Sequence, residues 1–157
     1  MGTIRIDDGT KEYQIVNKYG QEICKIHFRP ADLSLLDRYK EISGSLSETI
    51  EPLKELSLKA DGTAEDESWE ILKSVEDSVI EKFGELLDTD DVSDIFKKRR
   101  AFSSVGGRFF CEIVLLAIGE AISEEFQKEA EATSKRISKY MPPDEDQTDA
   151  GAAADNG

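Results

Sequence analysis

The sequence predicts an α+β fold that is mostly helical: a small N-terminal antiparallel three-stranded meander packed on helices, with a disordered acidic tail behind it. Three observations carry this. Cys24, Ile26 and Phe28 alternate with Lys25 and His27, the period-2 pattern of a strand with one buried face. Apolar residues then recur every three or four positions across residues 33–58, 66–87 and 107–140, the spacing of one helix face. From Pro142 onward there is no aromatic and no branched aliphatic residue, so that stretch cannot bury enough apolar surface to offset the entropy lost on ordering. A chain of 157 residues suits one domain. The expected division is 1–29 for the meander, 30–141 for the helical part and 142–157 for the tail.

The first strand is expected at residues 3–7, with Ile4 and Ile6 on one face, and Asp7-Asp8-Gly9 turns it. Tyr13 and Ile15 mark a second strand, and Lys18-Tyr19-Gly20 leads it into the third. Pro30 suits the first turn of a helix because its φ is fixed near the helical value and it lacks an amide hydrogen. Asp32 can cap that helix. Leu35, Leu36, Tyr39, Ile42, Leu46, Ile50, Leu53 and Leu56 continue its stripe, with a break or kink expected between Gly44 and Pro52.

The next helix, 66–87, buries Trp69, Leu72, Val75, Val79, Phe83 and Leu86, while Glu67, Glu70, Asp77, Glu81 and Glu85 face water. A short helix over 91–98 carries Val92, Ile95 and Phe96. Residues 103–107, including Ser103, Gly106 and Gly107, are expected to form a flexible joint. The last helix is expected from about Gly107 to Tyr140. Its first half is apolar almost all round and therefore central. Its second half thins to Ile122, Phe126, Ala130, Ile137 and Tyr140 among Glu and Lys, a stripe that either meets a partner or packs back on the acidic helix.

Charge is unevenly placed. The net value is −14; residues 47–94 hold sixteen acids against four bases, and residues 1–46 are neutral. Such a surface repels nucleic acid and anionic lipid and keeps a protein dispersed. The most apolar run, 109–122, is shorter than the ~20 residues that cross a bilayer. Residues 1–6 have no leader pattern, so the chain is expected in the cytoplasm.

Candidate chemistry fails on inspection. Cys24 and Cys111 form no C-x-x-C pair, and one histidine cannot complete a zinc site with them, so both are expected as packed thiols. His27 is out of phase with the buried strand face and has no nucleophile motif beside it. Asp88, Asp90, Asp91 and Asp94 fail the calcium-loop test, since Ser93 stands where glycine is needed and Arg99 where the bidentate glutamate is needed. They suit a helix N-terminus instead. Lys97-Lys98-Arg99-Arg100 either pairs with the acidic surface or forms an anion patch; internal pairing is the favoured expectation. No catalytic residue, metal or cofactor is expected, and the chain reads as a non-enzyme.

One pattern resembles a known family. Asn17 and Gly20 at a tight turn, Phe28-x-Pro30-x-Asp32 at the strand–helix junction and Arg38-Tyr39 in the helix look like tail assembly chaperones of long-tailed phages and prophages of Gram-positive bacteria. Phe83-Gly84, Asp94-Ile95-Phe96 and Gly106-Gly107-Arg108-Phe109-Phe110 follow in similar order, so the resemblance spans roughly residues 3–141. It implies a non-enzymatic protein of the host cytoplasm that holds the tape-measure and tail-tube proteins during tail morphogenesis and is absent from the virion. Self-association is left open. If the resemblance holds, Ser103, Gly106, Gly107, Ile122, Phe126, Ile137 and Tyr140 are the candidate client contacts, chosen by amphipathicity. A tail component retained in the virion, or an acidic adaptor, is the alternative.

Overall fold

In a computed structural model, residues 1–51, 53 and 66–140 are described. Two strands, β1 (Lys11–Val16) and β2 (Glu22–Phe28), precede helices α1 (Leu33–Ile50) and α2 (Asp66–Leu87). A 3₁₀ segment (Asp91–Phe96) follows, then two-residue strands β3 (Ser104–Val105) and β4 (Arg108–Phe109), then α3 (Phe110–Tyr140). The fold is thus mixed helix and strand with two small antiparallel sheets. The expected tail, the loop at 61–63 and Pro52 lie outside the described residues. The chain divides into two compact units, Met1–Ile122 and Ser123–Gly157.

The first sheet has two strands, and the expected third is not there. Its turn is built by Asn17, whose side-chain oxygen accepts the N–H of Tyr19 and of Gln21 at 2.9 and 3.0 Å. Gly20 takes φ +82°, a conformation that favours glycine, which accounts for the N-x-x-G spacing. Residues 3–7 join no ladder, and Ile4 and Ile6 are 91% and 78% exposed. Asp7 and Asp8 accept the N–H groups of Gly9 and Thr10 at 2.9 and 3.0 Å, local turns that set the course of the chain just ahead of β1. Asp8 also lies 3.8 Å from Arg29.

Asp32 caps α1 by accepting the Ser34 N–H at 2.9 Å, so the helix starts at Leu33 and Pro30 stands just before it, fully buried. α1 runs unbroken through Gly44 and ends at Ile50. Its Arg38 donates to the Leu86 carbonyl at 3.0 Å, tying it to the end of α2. On α2 the stripe Val75, Val79, Phe83 and Leu86 is buried as expected. Trp69 is not: it is 37% exposed, because the first turns of α2 border a surface cleft rather than the core. The short helix over 91–98 is instead a 3₁₀ segment whose Val92, Ile95 and Phe96 are all buried. Phe83 stacks on Phe96 with ring centres 5.5 Å apart, and Phe96 meets Phe110 edge-on at 5.8 Å. Cys111 is buried, which pushes its thiol up to about 12; Cys24 is half-buried.

Residues 103–107 are no joint. Gly106 and Gly107, at φ +59° and +84°, form the two-residue turn of the β3–β4 hairpin, in which Ser104 faces Phe109 and Val105 faces Arg108. The last helix therefore begins at Phe110, not Gly107. Near its start α3 is tied to α1 by the Tyr39 side chain. The Tyr39 hydroxyl donates to the Leu115 carbonyl at 3.1 Å, and a methyl group placed on Gly119 collides with that hydroxyl.

Two glycine substitutions test this packing against each other. Gly119→Ala is expected to lower stability in urea denaturation by about 1–3 kcal/mol through overpacking. Gly44→Ala has open space around it and is expected to raise stability by about 0.5–1 kcal/mol.

Candidate functional site

The surface feature nearest the expected contact residues is a cleft of about 370 Å³ between the start of α2 and the β3–β4 hairpin. Trp69, Leu72, Phe102, Ser103 and Phe109 line it, and Phe102 and Phe109 pack edge-on with ring centres 5.1 Å apart. Its polar floor is Glu76 with Arg100. Glu76 is buried. Its carboxylate accepts from Arg100 Nη2 at 2.6 Å and Nε at 3.1 Å, and from the Ala101 N–H at 3.0 Å. These bonds to Glu76 raise the Arg100 guanidinium above its ordinary value. The carbonyls of Ala101 and Ser103 then accept the N–H groups of Cys111 and Phe110 at 2.9 and 2.8 Å. Glu112 completes the entry to α3 by accepting the Phe109 N–H at 2.9 Å.

The expected contact residues fall into both compact units. Ser103, Gly106 and Gly107 lie exposed on and beside the β3–β4 hairpin, and Ser103 shares the cleft wall with Trp69. Ile122 belongs to the core, 3% exposed, so its side chain is not offered to a partner. In the second unit Phe126 is half-buried, Ile137 is 42% exposed and Tyr140 is the last residue of α3. Phe126, Ala130, Ile137 and Tyr140 share one helical stripe by spacing. Trp69, Phe102 and Phe109 were not among the expected contacts. The signal for them was a Gly-Gly pair flanked by Ser-Val and Arg-Phe, which marks a hairpin holding aromatic residues near its base.

The charged clusters pair within the chain. Lys97 pairs with Asp94 at 2.7 Å and Arg100 with Glu76, so two cations of the basic run are internally paired. Arg29 reaches Asp32 at 3.3 Å and Asp88 at 3.2 Å. His27 faces out, with Nδ1 2.9 Å from Asp91 and Nε2 3.2 Å from Glu12. Among the described residues no group of three or more His, Cys, Asp and Glu is placed to hold a metal, and no helix is long and apolar enough to cross a membrane.

A scan against family models finds no match to this chain. Neither the curated proteins nor the solved structures yield one.

Two predictions follow from the ionic geometry. Glu76→Gln is expected to cost about 1–3 kcal/mol in chemical denaturation, because it weakens a buried charge-assisted cluster. His27 is held above 6.5 by its bond to Asp91, with the Asp91 and Glu12 charges adding to the effect. A histidine raised on folding stabilises most when protonated. The advantage of the native chain over His27→Gln is therefore expected in full below pH 6.5, and to vanish as pH rises through the raised value. Paired urea titrations across that window check it.

Proposed function

We propose that this chain is a non-enzymatic assembly chaperone of a long-tailed phage or prophage, made in the host cytoplasm, that holds tape-measure and tail-tube proteins before the tail forms. The observation that carries the reading is the aromatic cleft at Trp69, Phe102 and Phe109, with Ser103 in its wall. Half-exposed aromatic anchors around an apolar groove suit the apolar face of an amphipathic client helix. The sequence resemblance over residues 3–141 supplies the biological setting.

The charge distribution supports the same reading. Residues 47–94 carry a balance of −12, so complexes coated with several copies repel one another while apolar contact supplies affinity. A chaperone of this kind must release its client as the tube polymerises, which favours a shallow cleft over a deep one. The late stripe at Phe126, Ile137 and Tyr140 is a second contact for the same long client.

Co-expression with the tape-measure and tail-tube proteins encoded nearby tests the proposal. Several copies are expected to co-purify along a soluble tape-measure protein. Trp69→Ser and Ile137→Asp are each expected to weaken capture by about tenfold, as a lost anchor does. Recovery of the chain from purified virions points to the structural-component alternative, and failure to bind either protein removes the chaperone reading.

A further inference from the structure

In the second unit every residue of α3 from 127 to 139 is exposed. Phe126, just before them, is half-buried, and Ile137 is 42% exposed. Phe126, Ala130, Thr133 and Ile137 follow one another at steps of four, three and four, the alternation of a coiled-coil seam. Alanine and threonine stand in the middle of the seam, and such small side chains let a second helix approach closely. By itself that spacing suits any helix with an apolar face.

The charges name the partner. Residues 123–131 hold four acids and one base, and residues 132–140 hold three bases and no acid. The stretch is neutral as a whole, within a chain of net charge −14. Two copies therefore meet here without the repulsion that their acidic residues 47–94 impose elsewhere. One orientation suits them. In a parallel pair acidic half lies on acidic half and basic on basic; in an antiparallel pair each acidic half lies on a basic half.

Single residues say the same. Glu124 and Lys128, like Glu131 and Lys135, stand four apart with the acid first, the order that stabilises one helix by itself. Glu129 and Arg136 are different. Both flank the seam on one side, seven residues apart, and neither has an opposite charge three or four residues away. Neither forms an ion pair among the described residues. An antiparallel copy that sets Phe126 against the partner's Ile137, and Ala130 against the partner's Thr133, also sets Glu129 against the partner's Arg136. The two-fold axis makes that contact twice.

We infer that this part of α3 pairs antiparallel with the same part of a second copy, through the seam at Phe126, Ala130, Thr133 and Ile137 and two Glu129–Arg136 ion pairs. The late stripe is then covered in the free protein, and a client helix takes the second copy's place there. That last step, unlike the pairing, rests on the chaperone reading.

Sedimentation equilibrium of the full chain, which needs no client, tests the pairing. The native chain is expected to associate to a dimer. Glu129→Arg or Arg136→Glu alone puts like charges at both contacts and is expected to weaken association by about tenfold. The two single variants mixed in equal amounts regain opposite charges at both contacts, as does one chain carrying both changes. Association is then expected to return to the native level, which also shows that the variants fold. A native chain that stays monomeric at about 1 mM, where even a weak pair assembles, overturns the inference. So does a dimer that the single reversals leave unchanged, the behaviour of a parallel pair or of another surface. A loss that the mixture does not rescue overturns it as well.

Discussion

The arrangement of the first unit depends on one buried carboxylate, that of Glu76. An ionised group removed from water is tolerated only when its charge and lone pairs are met. Glu76 meets that condition by collecting the Arg100 guanidinium and the Ala101 N–H, both from the segment that follows the 3₁₀ turn. This fixes where the chain returns to α2. Phe96 is thereby laid against Phe83, and the carbonyls of Ala101 and Ser103 are presented to the first N–H groups of α3. The β3–β4 hairpin and its aromatic cleft hang from the same point. A single polar cluster thus sets both the packing of the core and the position of the aromatic cleft.

Much of this was legible from periodicity. The buried stripe of α2, the Asp32 cap and the strand face at Ile26 and Phe28 each follow from spacing and local chemistry, which act within a few residues. What was not legible depended on distant partners. Trp69 has the right spacing to be core, yet the turns it sits on have a cleft beside them. Residues 3–7 have the right alternation for a strand, yet side-chain bonds at Asp7 and Asp8 decide the direction of the chain. Ile122 looks like the first residue of an exposed stripe but is buried. A Gly-Gly pair suggests freedom to hinge, whereas consecutive positive φ values make Gly106 and Gly107 a defined turn. Pairing of Lys97 and Arg100 was foreseeable from charge balance, but the choice of Glu76 was not, since it stands 24 residues away from Arg100.

The cleft at Trp69 is walled by aromatic side chains, which tolerate many apolar contacts. In the proposed role each contact with a client is individually weak, so polymerisation of the tube can displace it.

Trp69, the only tryptophan in the sequence, reports directly on the proposed seating of an amphipathic helix in its cleft. The decisive measurement is a fluorescence titration of the full chain with synthetic amphipathic helical segments of a phage tape-measure protein. The expected result is a saturable blue shift as the indole leaves water, lost when Phe102 and Phe109 are both changed to serine. Capture of the same segments with no change in Trp69 emission contradicts the claim and moves the client to another surface.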